Sequence, residues 1–271
     1  MLLAVDVGNT LIKLALYRGE TRLAHWSMAT DRGRTADEYA MLWRQFLEFG
    51  GYRFADVSAV AVACVVPQLA ETLRRLCRDY LGQTPLEVGP GIRTGMRILY
   101  DNPREVGADR IANAVAAYAR YGGPVIVVAL GTATVFTVVS KDGEFLGGAI
   151  APGIGISVEA LVQHAAQLRK VELVRPSQVI ARNTVAAMQS GVLYGVIGQI
   201  EGIIARMRAE LGAPAAVVAT GGYAELVGAA CRCVDHVDPL LSLEGLRLLH
   251  DRNSVAPGAG EARTEVQDTA R

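Results

Sequence analysis

The sequence carries no net charge, since 27 Lys and Arg balance 27 Asp and Glu over 271 residues. Without a basic excess there is no counterion release to hold nucleic acid or an anionic membrane, so neither is expected as a partner. Cysteine is scarce. Cys64, Cys77, Cys231 and Cys233 are expected as reduced thiols, because a chain this long does not need disulfide staples. Cys231-x-Cys233 lacks the second ligand pair of a structural zinc site. The four histidines, His25, His164, His236 and His250, sit in unrelated contexts without helical pairing, so none is expected as ligand or base. No Ser/His/Asp nucleophile set, Walker loop or nucleic-acid motif occurs. Long hydrophobic runs are missing too. The longest uncharged stretch, Tyr121 to Ser140, holds Gly122, Gly123, Pro124, Gly131 and three threonines, which reads as two strands and a glycine turn rather than a membrane span. The start of the chain reaches Asp6 with no positive segment and no small-residue cleavage site, so no signal peptide is expected and the address is cytoplasmic.

What the sequence does have is apolar residues (51%) and glycine, 29 residues or about 11% of the chain against a usual ~7%. That composition predicts a compact α/β protein rich in tight turns, long enough for two modest domains. Leu2 to Val5 is an apolar run entering Asp6-Val7-Gly8-Asn9-Thr10; Leu11 to Tyr17 runs apolar again, turns at Arg18-Gly19-Glu20 and resumes through Leu23 to Trp26. Three antiparallel strands are predicted. A helix over Tyr39–Leu47, a strand over Val57–Cys64 and a helix opened by Pro67 follow. The order then recurs. Val125 to Val128 enters Ala129-Leu130-Gly131-Thr132-Ala133-Thr134, followed by Val135–Val139, a turn at Lys141-Asp142-Gly143-Glu144, and a strand through Ile150. Helices are expected at Ile156–Leu168, Thr184–Leu211 and Leu243–Arg252, with a strand at Ala215–Ala219 entering Thr220-Gly221-Gly222. Two α/β domains, residues 1–118 and 119–254, with a cleft between them, are the expected organisation. The polar, aperiodic tail 255–271 is expected to be disordered.

A hairpin of the form Asp-x-Gly-x-Thr presents backbone N–H groups and a hydroxyl to a phosphate, and Gly8 permits close approach. Asp6 would repel phosphate directly, so its role is to hold a hydrated Mg²⁺. Lys13 supplies a point charge from the next strand. An ordinary hairpin with an Asx-turn would use the same residues, but the echo at Gly131-Thr132 favours two hairpins clamping one polyphosphate. The second cluster runs from Tyr100 to Arg110 and crosses an Asn-Pro turn into a helix extending to about Tyr118. Asp109 and Arg110 then lie in its first turns, where an arginine can bind a carboxylate and an aspartate can accept a proton from an attacking hydroxyl. A helix-start carboxylate paired with its neighbours is the plainer reading of that cluster.

The succession Asp6-Val7-Gly8-Asn9-Thr10, Asp101-Asn102-Pro103-Arg104-Glu105-Val106-Gly107-Ala108-Asp109-Arg110, Gly131-Thr132-Ala133-Thr134, Gly147-Gly148-Ala149-Ile150-Ala151-Pro152-Gly153 and Thr220-Gly221-Gly222 resembles the type III pantothenate kinases over residues 1 to 253. The resemblance implies a duplicated ribonuclease-H-like fold of the actin and sugar-kinase kind, with a nucleotide cleft between the domains. It implies ATP with Mg²⁺, a monovalent cation (K⁺ or NH₄⁺) and a homodimer. By the same resemblance, ATP contacts fall on Asp6, Val7, Gly8, Asn9, Thr10, Leu11, Ile12 and Lys13, on Thr132, and on Gly221 and Gly222. Pantothenate contacts fall on Tyr100, Gly107, Ala108, Asp109, Arg110 and Thr184, the last reaching the partner subunit's site. Asp109 matches the family's general base, and Arg110 would meet the pantothenate carboxylate.

One position departs from the family pattern. The aspartate that holds the monovalent cation is replaced by Ala129, the repeat-mate of Asp6, and Thr137 stands where an aspartate is common. A carboxylate and a cation about 4 Å apart attract by about 4 kcal/mol at an effective dielectric of about 20, so the loss is worth at most about a thousandfold in rate. The expected activity is ATP-dependent phosphorylation of pantothenate, the first step towards coenzyme A. The alternatives are a catalytically weakened homologue serving as a binding or accessory protein, and a kinase for another small hydroxy acid.

Overall fold

The computed structural model describes residues 1–164 and 171–254. The expected tail 255–271 and the last residues of the helix expected to end at Leu168 lie outside the described residues. The first half comprises β1 (Leu2–Val7), β2 (Leu11–Arg18), β3 (Thr21–Ala29), α1 (Ala36–Phe49), β4 (Ala59–Cys64), α2 (Pro67–Leu81), β5 (Leu86–Glu87) and α3 (Ala108–Tyr121). The second comprises β6 (Val125–Leu130), β7 (Ala133–Val139), β8 (Phe145–Pro152), α4 (Ile154–His164), α5 (Thr184–Leu211), β9 (Ala216–Thr220), α6 (Ala224–Gly228), β10 (His236–Val237) and α7 (Leu241–Ser254).

The strands form two sheets in the same order, β3-β2-β1-β4-β5 and β8-β7-β6-β9-β10. In each, the founding strand pairs antiparallel with its hairpin partner and parallel with the strand that returns after the helices. The sequence repeat is thus a repeat of structure. Asp6 sits opposite Lys13 in β2 and Ala63 in β4, and Ala129 holds the equivalent place opposite Val135 and Thr220. The two-residue strands β5 and β10 were not legible in the sequence, because two residues carry no periodicity. The strand expected from Val57 begins at Ala59, since residues 54–56 form a short 3₁₀ turn.

Local chemistry sets the helix ends. Thr35 and Glu38 close a capping box on α1, Pro67 opens α2, and Gly82 and Gly212 end α2 and α5 in the left-handed conformation. The period-two alternation of β1 divides its side chains between two cores. Leu3, Val5 and Val7 pack under α1 and α2 with Tyr39, Trp43 and Leu69, whereas Leu2 and Ala4 face a core shared by both sheets. A third core lies between the second sheet and α4, α5 and α6, where Met188, Leu193 and Ile197 are buried as expected of core residues.

The shared core is built on α3 and α7, with Ala61, Val125, Val127, Val218 and Leu246 around them. Helix α7 packs on β1, β2 and β4 of the first sheet as well as on α3. The two helices cross backbone against backbone at Gly245, where any Cβ would collide with the Ala112 carbonyl. Asp6, in step with Leu2 and Ala4, therefore faces α7. Among the described residues no helix is long and apolar enough to cross a membrane.

Candidate active site

The two hairpin tips meet. Gly8 N donates to the Leu11 carbonyl at 3.0 Å and Gly131 N to the Ala133 carbonyl at 3.1 Å, and the Thr10 and Thr132 hydroxyls bridge the hairpins at 2.7 Å. Thr30 Oγ1 donates to the Gly8 carbonyl, and Arg32 to Asn9 Oδ1. Asn9, Thr10 and Leu11 are exposed at the tip, while the side chains of Val7 and Ile12 are buried in the first core. Those two residues offer a ligand their backbone alone.

Beneath the tips lies charge. The Ser242 hydroxyl of α7 donates to Asp6 Oδ2 at 2.6 Å, and Lys13 Nζ donates to the Pro239 carbonyl at 3.0 Å. Burial pushes the Asp6 carboxyl above the ordinary carboxylate range; the Ser242 bond opposes this, the charge of Asp109 adds to it, and Lys13 again opposes it. Asp109 enters from the first turn of α3, whose N-cap is Gly107. Burial pushes its carboxyl up as well, against the pull of backbone N–H groups and Arg110. A Cβ at Gly107 would lie 2.6 Å from Asp109 Oδ1, so a side chain there would displace that carboxylate.

Arg110 is buried, at 7% exposure. Its Nε donates to Thr137 Oγ1 at 3.2 Å and its guanidinium carbon lies 5.7 Å from the Tyr100 ring centre and 5.3 Å from that of Phe145. Among the described residues no carboxylate pairs with it. Phe145 meets Tyr100 edge to face, and Ala108 is buried at the same helix start. Arg110 Nη2 also donates to the Phe136 carbonyl at 3.5 Å; a desolvated guanidinium with ring faces, a hydroxyl and a carbonyl, but no counter-ion among the described residues, can receive a carboxylate.

Gly221 takes a φ of 96°, which L side chains rarely adopt, and a Cβ there would lie 2.5 Å from the Leu130 carbonyl. The turn Thr220-Gly221-Gly222 is thereby drawn against the end of β6, beside the second hairpin. Thr184 is placed elsewhere. It is the first residue of α5, exposed beside the N-cap Asn183, and shares no hydrogen bond with Asp109 or Arg110. It lines a largely apolar groove of about 780 Å³ between α4 and α5, with Leu161, Met188 and Val192 on its walls.

A family profile for type III pantothenate kinase matches residues 2–206. The chain belongs to the type III pantothenate kinase family. A type III pantothenate kinase of Moorella thermoacetica is 55% identical over 94% of this chain and 100% of its own length. One from Myxococcus xanthus is 53% identical over 93% and 99% respectively. The ROK hexokinase of Thermus thermophilus, at 15% identity and a TM-score of 0.51 over 92% of this chain and 97% of its own, shares the fold. The duplicated architecture expected from the repeat, and its sugar-kinase-like form expected from the resemblance, are therefore the ones found, and as a member of a kinase family the chain uses ATP.

Sequence reasoning missed three contributors in this pantothenate kinase family member: Ser242, the Pro239 carbonyl and Phe145. Ser242 looks like any serine near a helix start, and a carbonyl leaves no mark in sequence. Only the fold of α7 back onto β1 brings the first two to Asp6 and Lys13. The pattern of Phe145 is that of a core residue, which it also is.

Proposed function

We propose that this chain transfers the γ-phosphoryl group of ATP to the terminal hydroxyl of pantothenate, in the cytoplasm, as the entry to coenzyme A synthesis. The observation that carries the reading is the pair at the start of α3, a half-buried carboxylate at Asp109 beside a buried guanidinium at Arg110 with no carboxylate partner among the described residues. Arg110, framed by Tyr100 and Phe145, holds the substrate carboxylate. Gly107 and Ala108 let the substrate approach the helix start. Asp109 accepts the hydroxyl proton as the oxygen attacks phosphorus, and its raised pKa makes it a better base than an exposed aspartate.

The phosphates lie between the lobes, residues 1–118 and 119–254. They are met by the backbone of Asp6 to Ile12, the Thr10 and Thr132 hydroxyls, Lys13 and the Gly221-Gly222 turn, which neutralise charge as the ADP oxygen departs. Two partly buried carboxylates, with the charge of Asp109 raising the pKa of Asp6, fit a hydrated Mg²⁺. Among the described residues no cluster of three or more His, Cys, Asp or Glu could hold a metal without water. Asp6 and Asp109 would hold it through water, and Mg²⁺ when bound supplies charge neutralisation at the phosphates. A monovalent cation does not fit in the same way. Ala129, at the place equivalent to Asp6, has only Val135 and Thr220 as strand neighbours, and no step depends on such an ion.

A second copy of the chain would cover the groove between α4 and α5, where Gly191 and Gly195 admit a close-packed helix and Val185 and Leu161 are exposed. Thr184, at the rim of that groove, then reaches the partner's substrate. Sedimentation at micromolar concentration tests the dimer, and a monomer would remove this role from Thr184.

The function is tested by ADP release and phosphopantothenate formation from purified protein in Na⁺ and in K⁺ buffers, beside Ala129→Asp. Equal turnover in both buffers is expected, with K⁺ dependence appearing only in the variant. Absence of turnover in the unmodified protein, restored by the aspartate, would instead favour the accessory-protein reading, to which the matched relatives lend nothing.

A further inference from the structure

The segment joining α6 to β10 holds two thiols that the phosphoryl-transfer site does not use. All four cysteines are free, yet the Sγ atoms of Cys231 and Cys233 are only 3.1 Å apart. A turn closed by the Val234 N–H on the Cys231 carbonyl at 3.4 Å puts both side chains on one side, and the Cys231 N–H continues α6 by donating to the Val227 carbonyl at 2.8 Å. Cys231 is 4% exposed among the core residues of the second lobe, while Cys233 is partly exposed.

At this distance one thiol donates to the other sulfur. With Cys233 as the donor, the Cys231 thiol is brought down to about 7 and Cys233 is pushed up. The groups facing the pair from α5 work in opposite directions. The Glu201 carboxylate, 4.0 Å from Cys231 Sγ, opposes its ionisation, and Arg208 favours that of Cys233. The other two cysteines are unlike this pair. Cys77 is wholly buried with its thiol pushed up to about 12, and Cys64 donates to the Val66 carbonyl at 3.2 Å with its thiol also raised by burial. A nucleophilic sulfur with a second sulfur in bonding range is the arrangement of a redox dithiol.

We propose that Cys231 and Cys233 form a redox-active dithiol that closes to an intrachain disulfide on reaction with hydrogen peroxide. Peroxide, little larger than water, is the oxidant that a sulfur buried this deeply admits. The Cys231 thiolate attacks one peroxide oxygen, the O–O bond breaks, and the departing hydroxide takes up a proton as water. Cys231 is left as the sulfenic acid. Cys233 sulfur then attacks the Cys231 sulfur, the S–O bond breaks, and the oxygen leaves as a second water with the proton of Cys233. The two sulfurs lose two electrons and peroxide gains them. Closure needs the sulfurs to move together by about 1 Å, from 3.1 Å to the usual S–S length of about 2.05 Å.

The site stands apart from the phosphoryl-transfer chemistry but on the same strap. Beyond β10 that strap carries Asp238, paired with Arg120, then Pro239, whose carbonyl holds Lys13, and leads into α7, where Ser242 holds Asp6. The test is intact mass and thiol titration of the full chain before and after peroxide, followed by peptide mapping without reductant. The expected result is a loss of about 2 Da, two of the four thiols disappearing, and a Cys231–Cys233 peptide that reverts with dithiothreitol. In Cys233→Ser, treated with peroxide and then unfolded in the presence of a sulfenic-acid probe such as dimedone, Cys231 should be labelled. Four thiols persisting after peroxide, a disulfide between chains, or labelling of Cys64 in place of Cys231 would each overturn the proposal.

Discussion

Replacing Arg110 by methionine separates the role of its charge from that of its volume. The side chain is buried at 7% exposure, and its Nε bonds only the Thr137 hydroxyl, at 3.2 Å. The carboxylate of the acceptor substrate is therefore expected to complete a charge pair that the free protein lacks. Truncating one partner of a buried, hydrogen-bonded charge pair costs about 2–5 kcal/mol, which at about 1.4 kcal/mol per decade raises KM for pantothenate roughly 30- to 4,000-fold. The effect should fall on KM, with kcat changed by less than about tenfold, because the carboxylate is held alike in ground and transition states. The analogue with a primary amide in place of the carboxylate supplies the control. The unmodified protein should discriminate against it strongly, and Arg110→Met should treat acid and amide nearly alike. Without substrate the variant should melt no lower than the parent, since an unpaired buried charge has been exchanged for an apolar chain of similar length. A coupled ADP assay and thermal melts with and without pantothenate measure all of this. If kcat collapsed while KM and the preference for the acid stayed unchanged, Arg110 would not be the carboxylate receptor.

Asp109→Asn should lower kcat about 10²- to 10⁴-fold. Burial sets the Asp109 pKa above its ordinary 3.8, so activity in the parent should fail as the pH drops through that raised value. The folded state holds this proton more tightly than the unfolded chain, so the associated stability is full at low pH and lost as the pH rises through the folded pKa. The asparagine variant should therefore melt above the parent at a pH well above the raised pKa, by a margin that shrinks as the pH falls through it; a lower melting point at the higher pH would contradict this account. Ser242→Ala removes the 2.6 Å bond to Asp6, a bond to a charged group worth about 1.5–3 kcal/mol, and should cost about 10- to 100-fold in kcat/KM for Mg·ATP. Ser242→Thr should recover most of that; full activity in the alanine variant would make the contact incidental. Gly221→Ala places a Cβ 2.5 Å from the Leu130 carbonyl at a φ of 96°, and strain of about 1–3 kcal/mol should appear as a lower melting temperature together with weaker ATP binding. An unchanged melt would show that the turn relaxes freely.

Much of the candidate site could be read from the chain because its parts are local. Asp6 to Lys13 is one hairpin, and Gly107 to Arg110 is one helix start. The glycine at 221 reports where backbone must approach another strand. What could not be read are the contacts made over long separations: Thr10 with Thr132, Asp6 with Ser242, and Lys13 with Pro239. Each joins residues from the two halves of the chain, and nothing in the local pattern of Ser242 or Pro239 marks them.

The sequence by itself determined the duplicated strand order, the glycine turns of the two hairpins and the placing of an aspartate beside an arginine. Alternation, turn residues and helix caps act over a few residues, and their physics is written in neighbouring side chains. The tertiary structure alone decided which face of β1 meets α7, that Arg110 is buried without a counter-ion, and that Cys231 and Cys233 lie in bonding range. Burial and desolvation depend on every element that packs around a group. Only the assembled fold turns Asp6 and Asp109 from ordinary carboxylates into groups held above their usual pKa.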